Sequence, residues 1–191
     1  MIHYSVNMKH SEKTFQRLAR MQYDLFCQKN RWSRSAISLV CMVFGVLNFQ
    51  KWWGALLIVY ASYLASSTYA SADHTAKKLS KGIKDSGMEF PSSRYEFQDN
   101  ALNIITLPEN VSLGDPFPYG NVLRLGEDDE YFYLFRDQVG GYMVPKAELG
   151  GKEDDFRAFM EGKTGKHFKA RVAPVFKLIR RIDVRRRLKK Q

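Results

Sequence analysis

Residues 35–72, SAISLVCMVFGVLNFQKWWGALLIVYASYLASSTYASA, decide the fold that this sequence predicts. The stretch contains one charged residue, Lys51, although 26% of the 191 residues in the chain are charged. Lys51 separates two uncharged runs, and a membrane-spanning helix needs about 20 mainly apolar residues. The pattern predicts a transmembrane helical hairpin at 35–72 that reverses direction near Lys51.

Aromatic and basic residues flank both predicted spans. Trp32, Trp52 and Trp53 fall at the span ends, where aromatic side chains collect in membrane proteins, and are the predicted membrane-interface residues. Basic residues precede and follow the pair of spans: Arg17, Arg20, Lys29, Arg31, Arg34, Lys77, Lys78, Lys81 and Lys84. Because cationic residues favour the cytoplasmic side, the sequence predicts a multi-pass protein of the cell membrane with both termini cytoplasmic.

The same stretch has two alternative interpretations, a cleaved signal peptide and a buried helical hairpin. Residues 70–72, ASA, resemble a signal-peptide cleavage site, but a long polar segment precedes the apolar stretch, which a signal peptide does not have. A buried helical hairpin would need further helices to cover helices that are apolar on all sides. Small residues that would let two helices pack closely recur through the stretch: Gly45, Ala55, Ala61, Ser62, Ala65 and Ser66.

The residues before the hairpin, 1–34, predict a strand and an amphipathic helix. Residues 2–7, IHYSVN, alternate like a strand, and Ser11 is suited to the N-cap of the helix that follows. Apolar residues then recur at helical spacing: Phe15, Leu18, Met21, Leu25 and Phe26. This helix is expected to run into the first span or to lie beside it.

After a linker at 73–91, residues 92–165 have the pattern of antiparallel strands closed by one helix. Two alternating runs meet at Asp99 and Asn100, which suit a tight turn. Residues 131–135, YFYLF, predict the core of a sheet in preference to a ligand-stacking surface. Residues 152–162 predict an amphipathic helix with Phe156, Phe159 and Met160 on one face. Together these elements predict a small α+β domain.

Three motifs of this region carry a resemblance to a known family: YEFQDNALNI at 95–104, YGNVLRLGEDDEYFYLF at 119–135 and YMVPKAEL at 142–149. With the preceding strand, helix and two apolar segments, residues 2–165 resemble the bacterial YcxB-like membrane protein family. Tyr119 departs from the tryptophan that family members often have there. The resemblance implies a pleckstrin-homology-like (PH-like), partly open barrel capped by a C-terminal helix, and it brings no catalytic residues.

Residues with metal-binding or catalytic chemistry are few and scattered. The histidines and cysteines are His3, His10, Cys27, Cys41, His74 and His167, and they show no zinc-type spacing. His74 and Asp73 are expected to form an interfacial polar pair. The acidic run at 127–130 lacks the ligand spacing of a calcium loop and predicts a solvated hairpin turn. No metal, cofactor or enzyme activity is predicted.

The basic tail at 166–191 is the strongest functional signal. It holds eleven basic residues and one acidic residue, which equals the whole formal net charge of +10. An amphipathic tail helix is predicted to contact anionic lipid headgroups through Lys177, Arg180, Arg181, Arg185, Arg186, Arg187, Lys189 and Lys190. Docking onto an acidic partner or a neighbouring subunit is the alternative. Nucleic acid is disfavoured, because only Phe168 and Phe176 could stack on bases.

These observations predict a membrane α+β protein that acts as a non-catalytic, membrane-anchored binding or regulatory module. In it, a cytoplasmic PH-like domain and a basic tail would face anionic lipid. A structural subunit or homo-oligomer of a membrane complex is the second hypothesis, with small residues of the two helices packing between copies.

Overall fold

A computed structural model describes residues 1–170, apart from the side chain of Tyr69. The predicted tail residues Lys177, Arg180, Arg181, Arg185, Arg186, Arg187, Lys189 and Lys190 lie outside the described residues. The helices are α1 (Glu12–Phe26), α2 (Gln28–Leu47), α3 (Trp52–Asp85) and α4 (Glu153–Thr164). The strands are β1 (Ile2–Lys9), β2 (Ser92–Gln98), β3 (Ala101–Leu107), β4 (Val111–Ser112), β5 (Phe117–Pro118), β6 (Arg124–Glu127), β7 (Tyr131–Phe135), β8 (Gly141–Pro145) and β9 (Phe168–Ala170).

The molecule has two parts, which we call the head and the arm. The arm is residues 28–70, comprising α2 and the first half of α3. The head is residues 1–26 and 71–170. In the head, one sheet has the order β1-β2-β3-β4 with β5 also paired to β3, and the other has the order β8-β7-β6-β9. The arm is therefore inserted between β1–α1 and the remaining strands of the same domain.

β1 and α1 belong to the core of the head. Val6 and Met8 of β1 are buried, and Val6 lies opposite Tyr95 in the antiparallel pairing of β1 with β2. They join a cluster of twenty buried hydrophobic residues drawn from β1, α1, β2, β3, β6, β7, β8, α4 and their connections. Residues 1–34, expected as a separate segment, thus complete the sheet domain with their strand and first helix.

The aromatic strand β7 is apolar at successive positions because both of its faces are covered. Phe132 points towards α4, where its ring centroid lies 5.2 Å from that of Phe156. Phe135 points the other way and meets Phe26 of α1, edge to face, at 5.5 Å. Phe132 and Phe135 are both fully buried. The prediction that residues 131–135 build a sheet core is confirmed.

Other local predictions also agree with the structure. Ser11 caps α1, accepting a hydrogen bond from the Thr14 amide at 3.3 Å. β2 and β3 form an antiparallel hairpin around Asp99 and Asn100. The helix expected at 152–162 is α4, and Phe156 and Met160 of α4 are fully buried.

The predicted transmembrane hairpin, and with it the membrane fold class and the multi-pass location, is wrong. Within residues 1–170, no helix combines the length and the apolar character needed to cross a bilayer. The first turns of α2 carry Lys29, Arg31 and Arg34, so its uncharged part begins only at Ser35. α3 is long enough at 34 residues, but tyrosine, serine and threonine are frequent along its uncharged part.

Candidate interaction surface

The two helices of the arm pack along a seam of small side chains. Ser38 of α2 is buried and donates a hydrogen bond to the carbonyl oxygen of Ala61 on α3 at 2.8 Å. A Cβ atom at Gly45 would lie 2.7 Å from Cγ1 of Ile58 and 2.9 Å from the carbonyl oxygen of Gly54. Such close approach excludes any larger residue. Ser38, Gly45, Gly54 and Ala61 are therefore already used within one chain.

The seam follows a seven-residue spacing. Ser38 and Gly45 on α2 are seven residues apart, as are Gly54, Ala61 and Thr68 on α3. All five residues are buried. A seven-residue repeat keeps one side of each helix turned towards its partner. Both helices therefore bury a narrow stripe and leave the rest of their surface uncovered.

The uncovered surface of the arm is strongly apolar. Among the described side chains of the arm, fourteen large hydrophobic residues are exposed: Trp32, Ile37, Leu39, Val40, Val43, Phe44, Val46, Leu47, Phe49, Trp52, Leu56, Val59, Tyr60 and Tyr63. Scattered apolar residues are normal on a protein surface, but contiguous apolar patches above a few hundred Å² mark interaction sites. The arm is the candidate interaction surface of this chain.

Helical geometry places nine of these exposed residues on two faces, one on either side of the seam. Each residue advances about 100° around the axis, and in an antiparallel pair residues displaced in the same sense from the seam lie on the same side. One side, the Phe44 face, comprises Ile37, Val40 and Phe44 of α2 with Leu56 and Tyr60 of α3. The other side, the Val43 face, comprises Leu39, Val43 and Val46 with Val59, Ser62 and Ser66. The Phe44 face consists of five large apolar or aromatic side chains at mid-arm, whereas the Val43 face includes the exposed Ser62 and Ser66 there and has Trp32 and Trp52 at its two ends.

The predicted interface tryptophans lie at two places in the arm. Trp52 begins α3 at the arm tip and is 78% exposed, whereas Trp53 is half-buried and lies under the Lys51 ammonium, with Nζ 5.6 Å from the ring centroid. Trp32 lies near the start of α2 and is 72% exposed. Their predicted role at a membrane interface depended on the predicted spans.

The second half of α3 packs against α1 and so attaches the arm to the head. Ala19 of α1 is buried against Ala72 and Ala76 of α3. Beside this contact, Arg20 Nε and Nη2 donate to the two carboxylate oxygens of Asp73 at 2.5 and 2.8 Å. Donating these hydrogen bonds to the Asp73 carboxylate raises the pKa of Arg20 above its ordinary value. Asp73 is thus held by Arg20 of α1, and its expected pairing with His74 stays a prediction.

The acidic turn at 127–130 is engaged by the head itself. Asp128 Oδ1 accepts hydrogen bonds from the Glu130 and Tyr131 amides at 2.9 and 2.8 Å. Its Oδ2 accepts from the hydroxyl of the buried Tyr133 at 2.6 Å, and Arg17 of α1 lies 3.4 Å away. The predicted hairpin turn is present, but Asp128 is nearly buried and structural, and not simply solvated.

Glu127, at the start of the same turn, is paired with two cations. Its Oε2 lies 2.9 Å from Arg157 Nη2 and 3.4 Å from Lys146 Nζ. Both cations also lie over the ring of Phe132, at 5.6 and 4.6 Å from its centroid. The acidic side chains Glu127 and Asp128 therefore serve the packing of α1 and α4 onto the sheet.

Two of the histidines, His10 and His3, contact neighbouring side chains of the head. His10 stacks on the ring of Phe15 at 5.1 Å, and burial lowers its pKa. His3 Nε2 lies 2.7 Å from Asp99 Oδ1. The N-terminal amine and His3 together lower the pKa of Asp99 to about 2. Among residues 1–170, no group of three histidine, cysteine or acidic residues is arranged to hold a metal ion.

β9 lies within the region predicted as a tail, at residues that belong to the head. β9 pairs in parallel with β6, and Ala170 lies opposite Glu127. Glu161 of α4 positions this strand, because its Oε1 accepts a hydrogen bond from the Phe168 amide at 2.8 Å. This hydrogen bond lowers the pKa of Glu161. Ala170, the last described residue, therefore lies beside the acidic turn.

Some of these features could not be read from the sequence. The seven-residue spacing of Ser38 and Gly45 was a usable signal for the seam, and so was that of Gly54 and Ala61. No local pattern indicated that Arg17 would meet a turn 111 residues later. Short parallel strands such as β9 also leave no alternation long enough to detect.

Comparison with known proteins covers part of the head. The model of the YcxB-like protein family matches residues 104–161. This interval runs from β3 to α4 and includes the motifs at 119–135 and 142–149. No curated protein and no solved structure matches the chain. Over residues 104–161, this chain is similar to YcxB-like proteins.

Proposed function

We propose that this chain is a non-catalytic binding or regulatory module whose arm engages another polypeptide. The observation that carries the proposal is the exposed apolar surface of the arm, which is attached to a head with a closed hydrophobic core. An apolar surface of this extent is stable in water only at a cost, and covering it is favourable by roughly 25 cal/mol per Å². Binding is therefore the activity that the arm can perform.

The arrangement of charges in the head supports a binding role over catalysis. A catalytic acid or base needs access to a substrate proton. Asp128 and Glu127 instead hold α1 and α4 through Arg17, Arg157 and Lys146. The two carboxylates are thus engaged in ion pairs that stabilise the fold.

The head itself is proposed to be PH-like. Two largely antiparallel sheets enclose one core, and α4 follows the last antiparallel strand and packs on that core through Phe156 and Met160. The similarity to YcxB-like proteins over residues 104–161 supports the same assignment. Because PH-like folds serve many unrelated functions, the fold leaves the ligand open.

The basic tail stays a proposed binding element for an anionic surface, either lipid headgroups or an acidic partner. Its excess of positive charge supports this role. A chain that ends at Ala170 is the appropriate deletion, because an earlier end would also remove β9. We expect flotation with vesicles of phosphatidylglycerol, but not of phosphatidylcholine alone, to require the tail. Retention of an acidic protein by the full chain, with no vesicle binding, would favour the acidic partner.

Photo-crosslinking in living cells tests the proposed binding role of the arm. A benzoylphenylalanine at Phe44 should give adducts with a polypeptide, either another protein or a second copy. The matched control places the probe at Val139, an 80% exposed hydrophobic residue of the head. Adducts at Val139 but none at Phe44, or none at either position, would contradict the proposal.

A further inference from the structure

We infer that the Phe44 face is a dimerisation surface, on which the arm of a second copy packs to form a four-helix bundle. This inference deepens the proposed function by naming the partner of the arm. The surface consists of Ile37, Val40 and Phe44 of α2 with Leu56 and Tyr60 of α3, which are 49% to 58% exposed. A bundle of two hairpins is a common way to bury such surfaces.

The size of the Phe44 face fits a dimer. Each of its five side chains is about half exposed, which is on the order of 100 Å² per side chain and about 500 Å² in all. A standard interface buries about 800 Å² on each partner, and roughly 60% of that area is apolar. The apolar area of this face thus equals the apolar share of one partner in a stable dimer.

The charge pattern of the arm favours a copy of the same chain. From residue 35 to residue 72 the only charged residue is Lys51, which lies at the arm tip over Trp53. A two-fold axis brings the same patch of both copies together, so each residue meets an identical surface. A face without charges incurs no like-charge repulsion in this arrangement. It also offers no ion pairs by which a different protein would be selected.

The seam explains why the outer face is left for the partner. Gly45 and Gly54 bring α2 and α3 too close together for large side chains to fit between them. The large apolar residues of the Phe44 face therefore point away from the seam. Gly45 and Ala61, two of the small residues expected to pack between copies, are buried within each chain, and the contact between copies uses the large residues.

Sedimentation velocity of the purified full chain, over a range of concentrations, tests the inference. We expect a dimer for the unaltered chain. Phe44→Glu and Tyr60→Glu should each weaken dimerisation at least about thirtyfold, because a buried central aromatic contributes this much to binding. Circular dichroism should show unchanged helix content, since both side chains are outside the seam of the monomer. Two variants on different helices guard against a folding defect in either one.

Val46→Glu is the matched control. Val46 is 59% exposed, close to the 57% of Phe44, and helical geometry places it about 160° around the axis of α2 from Phe44. The dimer should therefore survive this change with an affinity within about threefold of the unaltered chain. A monomeric unaltered chain would overturn the inference. So would a dimer insensitive to Phe44→Glu and Tyr60→Glu, or a monomer captured by lipid vesicles through the arm. Crosslinking at Phe44 to a different protein, without a dimer, would overturn the inference and leave the proposed function standing.

Discussion

The head and the arm bury their apolar residues to very different degrees. In the head, Phe97, Phe132 and Phe156 are fully buried and pack edge to face or tilted on one another. In the arm, Phe44 and Phe49 are more than half exposed. The same residue type is therefore structural in one region and available for binding in the other. The reason is the number of packed layers. The β8-β7-β6-β9 sheet of the head is covered on both faces, whereas the arm consists of two helices alone.

The contrast also separates two ways of using glycine. Gly45 and Gly54 allow α2 and α3 to approach closely. Gly126 of β6 allows α1 to lie on the sheet, because a Cβ there would be 2.9 Å from Met21 Sδ. In the head this close packing closes the core. In the arm it joins only two helices, so their outer surfaces stay open.

The largest expected effect is the loss of a buried aromatic from the head. Phe156→Ala should lower the free energy of unfolding by about 3–5 kcal/mol, because it leaves a cavity among the rings of Tyr4, Phe97 and Phe132. Urea unfolding followed by circular dichroism measures the change. The matched variant in the arm, Phe49→Ala, should stay within about 0.5 kcal/mol of the unaltered chain. Equal effects for the two variants would break the comparison of head and arm.

A smaller effect is expected in the seam of the arm. Gly45→Ala should destabilise the arm by about 1–3 kcal/mol, because the added methyl group overlaps Ile58 and the Gly54 carbonyl. Hydrogen exchange of amides in α2 and α3 measures this, and amides of the head strands should be unchanged. Gly82→Ala is the control. Nothing lies within 4 Å of its new Cβ, so the better helix propensity of alanine should stabilise α3 by up to about 1 kcal/mol. Destabilisation by both changes would show that the seam is not the cause.

A smaller energy is expected for the ion pair between α1 and the second half of α3, the contact that attaches the arm to the head. A double-mutant cycle of Arg20→Ala and Asp73→Ala should give a coupling energy of about 0.2–1 kcal/mol, since both side chains are more than a third exposed. Thermal unfolding of the four variants supplies the energies. The pair Lys84 and Glu12, which is more exposed, should give a coupling near zero. A coupling well above this range would mean that Arg20 and Asp73 fix the arm rigidly to the head.

The smallest effect is a pH dependence that belongs to the head alone. Burial lowers the pKa of His10, so the folded state favours its neutral form. The stability from this group is complete above the ordinary pKa of about 6.5 and falls as the pH drops below it. His10→Phe keeps a ring on Phe15, and its unfolding free energy should change less between pH 7 and pH 5. Identical pH profiles for the unaltered chain and His10→Phe would refute the assignment.

Local structure followed the sequence closely in this chain. The alternation in β1 to β3, the Ser11 cap and the apolar face of α4 all come from interactions between near neighbours. Such interactions leave periodic patterns that can be detected. The pairing of β1 with β2 was not detectable, because Ile2 and Gln98 are brought together only by the complete fold.

The hairpin prediction failed because absence of charge was equated with apolar character. Between residues 52 and 72, Ser62 and Thr68 carry hydroxyl groups that donate to the carbonyls of Ile58 and Leu64, at 2.9 and 2.7 Å. These internal hydrogen bonds satisfy the hydroxyl groups of an uncharged but moderately polar helix. The candidate surface itself was visible in the sequence as an apolar stretch. Which of its residues face the seam depends on the pairing of α2 with α3.

The position of the arm within the chain has a consequence for synthesis on the ribosome. β1 emerges long before β2, so the inner side chains of β1 have no sheet partner while the intervening residues are translated. α2 and α3 are neighbours in the chain and can pair as soon as both have emerged. Once paired, they bring the ends of the intervening segment together and shorten the effective loop that the β1–β2 contact must close. We therefore expect the arm to guide assembly of the nascent head as well as to present a surface afterwards.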